Sequence, residues 1–237
     1  METRFGVAVF FLSALLLLGV TGARADILPP FGLNPGDQFR LVFVSSQTRI
    51  ANQGDDQFLT GLADAAGLGV YNGNPVGWHL LGSQSLPGPG AIDRLPNSSD
   101  PIYNINGDLV ANATHDIWSG TLLHAIAYTE TAAMVDTLVW TATLPNGHVP
   151  PTNQGLGDFG SVVVGRSSAS DGGWVDFDLA FSNGTPHSFY GFSDVITVAA
   201  PVPEPNTVTL FVTAAPLLGL LALRWHRRRG RATSPLA

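Results

Sequence analysis

The 237-residue chain contains no cysteine, and its central part, residues 26–203, contains no lysine. The lack of cysteine excludes disulfides, a thiolate nucleophile, a cysteine-ligated zinc ion and an iron–sulfur cluster. In residues 26–203, four arginines stand against sixteen acidic residues, which gives a net charge of −12. An acidic segment of this kind lacks the basic footprint of nucleic-acid-binding proteins, so we expect no nucleic-acid partner.

Residues 1–25 have the pattern of a secretory signal peptide. Arg4 supplies a positive n-region, residues 5–20 are apolar, and Ala23 and Ala25 form a small-x-small cleavage site. Sixteen apolar residues are also just long enough to span a membrane, so a retained signal anchor is the alternative. Cleavage after Ala25 is the prediction that the small residues favour.

The C-terminal region combines three features in a fixed order. Pro203, Glu204 and Pro205 come first, an apolar run over 208–223 follows, and a cluster of arginines comes last. The cluster comprises Arg224, Arg227, Arg228, Arg229 and Arg231. A helix over 208–223 would be about 24 Å long, slightly shorter than a hydrocarbon core of about 30 Å. Arginines next to such a helix favour the cytoplasmic side of the membrane, and the prolines favour an extended segment outside it.

This order resembles the PEP-CTERM sorting signal of Gram-negative bacteria that make extracellular polysaccharide. The resemblance covers residues 201–231. It implies that exosortase, a membrane protease or transpeptidase, recognises the Pro-Glu-Pro motif while the helix and the arginines hold the substrate. We therefore expect an exported precursor anchored in the inner membrane, and then a place at the cell surface or in the extracellular matrix. The alternative is a permanent anchor in which Pro-Glu-Pro is an ordinary linker.

Residues 26–200 are long enough to form one exported domain without disulfides. Alternating apolar residues over 38–45 predict an opening strand with at least one buried face. Helical spacing over 55–66, with Gly67 at the expected C-terminal cap, predicts one early helix. Asn106-Gly107 predicts a tight hairpin with positive φ at both residues. Further features are expected as follows: strands over 76–81, 138–143, 161–165, 174–181 and 189–198, turns at Asn146-Gly147 and Asn183-Gly184, helical turns between Asp116 and Tyr128, and a surface loop over 82–97.

Several short sequences follow one another over residues 37–198, among them those at 43–46, 77–82, 107–111 and 172–174. This series resembles bacterial surface domains that are distant relatives of the C-type-lectin-like fold. It implies a compact α+β domain with one early helix and a mainly antiparallel sheet. In the lectins of that family, acidic and amide side chains in loops hold calcium and sugar.

Three carboxylates are candidate calcium ligands. Asp176 and Asp178 would share one face of a strand over 174–181, and Asp171 lies close to them in sequence. The alternative is a solvated strand face, since the EF-hand spacing is absent. We expect no other cofactor.

A second group combines side chains suited to acid–base or metal chemistry: His115, Asp116, His124 and Glu130. No HExxH motif and no nucleophile-elbow serine is present, so this group defines no catalytic motif. The four central tryptophans, Trp78, Trp118, Trp140 and Trp174, are candidate sugar-stacking platforms, although most are expected in the core.

Two classes of function remain. The first is a non-enzymatic surface or matrix protein that contributes binding or structure within extracellular polysaccharide. The second is an extracellular hydrolase acting on glycans or peptides, which needs a pair of carboxylates at a defined separation. The sequence favours the first class because no catalytic motif is evident.

Overall fold

A nine-stranded sheet organises the residues that the computed structural model describes, which are 27–200 without 54, 96, 151–153, 159 and 182–184. Its strands are β1 (Gln38–Val44), β4 (Trp78–Leu80), β5 (Ile102–Asn104), β6 (Leu109–Ala111), β7 (Leu138–Trp140), β8 (Ser161–Arg166), β9 (Asp178–Phe181), β10 (Ser188–Ser193) and β11 (Ile196–Thr197). The main path of the sheet runs β6-β5-β1-β10-β7-β8-β9, while β11 pairs with β1 and β4 pairs with β10. A separate hairpin joins β2 (Val70–Tyr71) and β3 (Asn74–Pro75).

The expected α+β class and mainly antiparallel sheet are confirmed. Two of the strand pairs are parallel, β1 with β5 and β10 with β7, and the other pairs are antiparallel. Among the described residues, the α-helices are α1 (Asp56–Ala65) and the short α2 (Ala91–Arg94). None of the described helices is long and apolar enough to cross a membrane.

Several predictions lie outside the described residues. They are the signal peptide with Ala23 and Ala25, the Asn183-Gly184 turn, the motif of Pro203, Glu204 and Pro205, the helix over 208–223, and the arginines Arg224, Arg227, Arg228 and Arg229.

Strand β1 lies at the centre of the core and is buried on both faces. Phe39 and Phe43 pack in one apolar cluster, and Val42 and Val44 pack in a second cluster on the opposite face. The near-continuous apolar sequence of β1 follows from this double burial. The prediction of at least one buried face is therefore confirmed.

Helix α1 begins and ends as its sequence predicts. The carboxylate of Asp55 accepts a hydrogen bond from the Phe58 N–H at 2.7 Å, which caps the first turn. At the other end, the Leu68 N–H donates to the Ala63 carbonyl at 2.7 Å, and Gly67 has a φ of 86°. This is a Schellman cap, which a glycine at position 67 makes possible.

The Asn106-Gly107 hairpin is confirmed, but its expected turn geometry is wrong. Gly107 has a φ of 92° and donates to the Asn104 carbonyl at 2.9 Å, whereas Asn106 is not in the positive-φ region. The loop has three residues and ends in a glycine bulge. The tight turn with two positive φ values instead joins β2 to β3, at Asn72 (48°) and Gly73 (78°).

The strand expected over 174–181 is wrong in its first half. Residues Gly172–Trp174 form a 3₁₀ turn because the Asp171 carboxylate accepts from the Gly173 N–H at 3.0 Å. The strand begins only at Asp178. The region 189–198 also divides, into β10 and β11, and the loop over 82–97 contains helix α2. The expected helical turn after residue 116 is present as a 3₁₀ turn, Asp116–Trp118.

Candidate functional site

A polar cluster of the described domain is built around His79. Its Nδ1 lies 3.2 Å from Asp56 Oδ2, and its Nε2 lies 3.0 Å from Asp194 Oδ1. Arg94 Nη2 donates to Asp56 Oδ1 at 3.0 Å. We call these four residues, Asp56, His79, Arg94 and Asp194, the His79 cluster.

The sheet positions His79 and Asp194 next to each other. Strand β4 pairs antiparallel with β10, so that His79 is opposite Phe192 and Asp194 follows the last paired residue of β10. Because side chains alternate along a strand, Trp78 and Leu80 are buried while the His79 ring is 44% exposed.

Gly77 allows the carboxylate of Asp194 to approach the backbone. The Gly77 N–H donates to Asp194 Oδ2 at 3.2 Å, and the Asp194 N–H donates to the Gly77 carbonyl at 2.9 Å. A Cβ atom at position 77 would lie only 2.4 Å from Asp194 Oδ2. The absence of a side chain at this position is therefore part of the cluster's geometry.

Helix α1 contributes Asp56 from its first turn. Besides His79 and Arg94, Asp56 accepts the Leu80 N–H at Oδ1, at a distance of 2.7 Å. Burial opposes ionisation of this carboxyl group, but the hydrogen bonds from Leu80 and His79 and the charge of Arg94 outweigh burial and hold the pKa of Asp56 below its usual value. Asp56 therefore stays ionised at neutral pH.

The two carboxylates favour the charged form of His79. Burial opposes the charge, but the hydrogen bonds to Asp194 and Asp56 are stronger in sum and raise the pKa of His79 above its usual value. Both ring nitrogens face carboxylate oxygens, and only the protonated imidazolium can donate from both nitrogens at once. In this protonated form neither ring nitrogen is free to accept a proton.

Arg40 extends the charged network into the core. Its guanidinium donates from Nη1 to the Ser193 carbonyl at 3.0 Å, and its Nε lies 3.8 Å from Asp100 Oδ2. Burial lowers the pKa of Arg40, and the charges of Asp100 and Asp194 oppose that effect. The network thus links β1, β4, α1, α2 and the turn after β10 to one another. It also forms a half-exposed polar surface.

The structure places the three calcium candidates in separate roles. Asp171 caps the 3₁₀ turn, and Asp178 Oδ1 accepts the Leu179 N–H at 2.8 Å. Asp176 precedes β9, so it does not share a strand face with Asp178, which corrects that expectation. Across the described part of residues 27–200, no group of three or more histidine and acidic side chains is arranged to hold a metal ion. Calcium binding stays a prediction.

The second candidate group is spread over three places. His115 Nε2 contacts its neighbour Asp116 at 3.1 Å, and His124 Nδ1 lies 2.8 Å from the Leu109 carbonyl. Glu130 accepts the Ser46 N–H at 2.9 Å and a second bond from the Ser46 hydroxyl group. These residues do not meet in one acid–base site.

Most tryptophans of the domain belong to the core, as expected. Trp78, Trp140 and Trp174 are at most 1% exposed. Trp118 is half-buried and its ring centroid lies 5.6 Å from that of Trp174. Of the four sugar-stacking candidates, Trp118 is therefore the one that a ligand can reach.

Sequence reasoning missed the His79 cluster. The one local signal was a histidine between two buried strand residues, Trp78 and Leu80. Asp56 looked like an ordinary first-turn acid, which favours helix formation by itself. Asp194 is 115 residues from His79 in the chain, so no local pattern joins them.

The described residues thus define an α+β domain with a core made mainly of sheet and with few helices. No family model matches the chain, and no curated protein matches it either.

Proposed function

We propose that this protein is an exported surface or matrix protein that exosortase sorts and processes. Its domain, in this proposal, is C-type-lectin-like and has a non-enzymatic binding or structural role in extracellular polysaccharide. The observation that carries the proposal is the order of Pro-Glu-Pro, apolar run and arginine cluster over residues 201–231. The early helix α1 and the mainly antiparallel sheet agree with the lectin-like resemblance.

The hydrogen bonds of the last folded residues support a boundary between the domain and the Pro-Glu-Pro motif. The Val198 N–H donates to the Asp37 carbonyl at 2.8 Å, and the Ala199 N–H donates to the Tyr71 hydroxyl oxygen at 3.1 Å. Pro203 follows four residues after Ala199. Since an extended chain covers about 3.5 Å per residue, the motif begins within about 14 Å of this hydrogen bond. An exosortase would therefore act close to the folded domain.

The charge of the domain favours a neutral polymer, or the neutral part of one, as its polysaccharide partner. The four arginines of the exported segment all make contacts inside the domain. Arg40 and Arg94 contact aspartates as described, and Arg166 makes a bidentate pair with Asp136 at 2.8 and 2.7 Å. The guanidinium of Arg49 lies 3.9 Å from the centre of the Phe58 ring. An acidic domain whose cations have internal partners attracts anionic polymers weakly.

The sorting proposal is tested by following the full chain, with an epitope in its exported domain, in a host with exosortase and in a deletion strain. We expect a shortened protein outside the inner membrane in the first strain only. Replacing Pro203 and Pro205 by alanine should keep the full-length form in the inner membrane, because the extended motif is lost. Pro201→Ala is the matched control and should be processed normally. Retention of the full-length form in both strains would show a permanent anchor.

The non-enzymatic role is tested with the same purified chain. A panel of neutral and anionic polysaccharides and of peptides serves for both binding and turnover. We expect binding to neutral glycans without turnover. Hydrolysis of any polymer would overturn the proposal in favour of an extracellular hydrolase.

A further inference from the structure

Two apolar side chains near the start of the domain are almost fully exposed. Leu28 is 84% exposed and Phe31 is 103% exposed, and no other large apolar side chain among the described residues exceeds the 73% of Met134. Exposing a leucine and a phenylalanine within four residues is unfavourable in water. Exposed apolar surface that is contiguous and rimmed by polar residues marks protein or membrane contact sites.

This pair lies at the end of the domain from which the C-terminal segment leaves. Ile27 and Leu33 pack in the same apolar cluster as Val198. The Gly36 N–H donates to the Val198 carbonyl at 2.9 Å. Phe31 is five residues from Gly36, so it lies within about 18 Å of that hydrogen bond.

The surroundings of the pair carry little charge, although the exported segment as a whole is strongly acidic. Three stretches meet at this end, residues 27–36, 65–78 and 195–200, and none of them contains a charged residue. They are joined by the hydrogen bonds of Gly36 and Ala199 to Val198 and Tyr71. Four acids border these stretches in the sequence: Asp26, Asp37, Asp64 and Asp194. The carboxylate of Asp37 accepts the Asn34 N–H at 2.6 Å, and that of Asp194 lies 3.0 Å from His79 Nε2.

We propose that this end of the domain rests on the outer lipid surface of the membrane, with Leu28 and Phe31 inserted at the level of the headgroups. The inference rests on the proposed anchoring of the precursor by residues 208–223. Val208 follows nine positions after Ala199, a reach of at most about 32 Å, so the tether keeps this end at a high effective concentration near the bilayer.

Charge and hydropathy select this orientation over others. Acidic faces of the domain are repelled by anionic lipids, whereas stretches without charged residues that expose a leucine and a phenylalanine gain free energy at the interface. Two side chains alone give weak and reversible attachment, so the contact is lost once the tether is cut. The contact would also keep the Pro-Glu-Pro motif at the membrane surface, where a membrane-embedded protease acts.

The absence of cysteine from the chain makes a direct test possible. Phe31→Cys and Leu28→Cys are each labelled with the environment-sensitive dye NBD, in full-length chain purified from a host without exosortase. The labelled protein is reconstituted in vesicles of phosphatidylethanolamine and phosphatidylglycerol, with or without doxyl-labelled lipid. Met134→Cys is the matched control, because Met134 pairs with Tyr128, whose carbonyl accepts the Val44 N–H at the opposite end of β1.

We expect blue-shifted emission and quenching by doxyl lipid at positions 28 and 31, and neither effect at position 134. Flotation of the vesicles checks the anchoring separately. Protein that floats but shows no quenching at positions 28 and 31 would overturn the inference and leave the anchor intact. Protein that does not float would instead refute the anchoring. Equal quenching at all three positions would show that the domain has no preferred orientation, which also overturns the inference.

Discussion

Replacing His79 by alanine tests whether the His79 cluster stabilises the domain. The change removes two charge-assisted hydrogen bonds and leaves the carboxylates of Asp56 and Asp194 without the cation between them. Such bonds contribute about 1.5–3 kcal/mol each when they are well shielded from water. The side chains of His79, Asp56 and Asp194 are 44%, 44% and 58% exposed, so solvent screening reduces the expected loss to about 1–2 kcal/mol in total.

The pH dependence of this loss follows from the directions of the pKa shifts. The pKa of His79 is raised in the folded state, so its contribution is fully present below the unfolded pKa of about 6.5 and is lost as the pH rises through the folded pKa. The pKa of Asp56 is lowered, so its contribution is present above about pH 4 and is lost as the pH falls through the folded pKa. The cluster should therefore stabilise the domain most between about pH 4 and 6.5.

The assay is the thermal midpoint of the detergent-solubilised chain at several pH values. A loss of about 1–2 kcal/mol corresponds to a fall of roughly 3–6 °C for a domain of this size. His115→Ala is the matched control, because His115 contacts one carboxylate and its side chain is 64% exposed. A His79→Ala midpoint that falls equally at pH 5.5 and pH 8.5, or by no more than that of His115→Ala, would refute the reasoning.

Three further substitutions test local structure through the same thermal measurement. Ala132→Gly should stabilise the domain by about 1 kcal/mol, because Ala132 has a φ of 60° that glycine adopts without strain. The control Ala133→Gly, at a position without positive φ, should destabilise the domain or leave its stability unchanged. A domain stabilised by Ala133→Gly and destabilised by Ala132→Gly would contradict the explanation. Asp55→Ala should cost about 1 kcal/mol by removing the cap of α1, whereas Gln57→Ala, on the same helix, should change stability by less than about 0.5 kcal/mol. Gly77→Ala should cost only about 1 kcal/mol or less, because the new Cβ meets Asp194 Oδ2, the far end of a side chain that is 58% exposed and can turn away. Restoring stability by adding Asp194→Ala would identify that contact as the cause, and an additive loss would not.

Local interactions explain why parts of the fold were predictable. Helix α1 has its cap, its apolar face and its terminal glycine within thirteen residues, 55–67, so its sequence alone indicates where it begins and ends. The hairpin at Gly107 is equally local. The strand expected over 174–181 was wrong in part because the Asp171 carboxylate caps a 3₁₀ turn, a short-range competitor that alternation of residues does not reveal.

The candidate site required contacts that are distant in sequence. His79 is 23 residues from Asp56 and 115 residues from Asp194. The pairing of β4 with β10 brings His79 and Asp194 together. Hydrophobic periodicity predicts which face of a strand is buried, but it carries no information on which strand becomes its neighbour. The partners of His79 were for this reason invisible in the sequence.

The sequence by itself determined the acidic charge, the absence of thiol chemistry and the bounds of helix α1, because composition and contacts between near neighbours are sufficient for them. It also predicts the export and sorting of the chain, since such signals are linear. Only the tertiary structure decided that His79 is held between two aspartates, that three of the four tryptophans of the domain are core residues, and that Leu28 and Phe31 are exposed. These features depend on strand pairing and burial, which are set by the whole domain and not by any one segment.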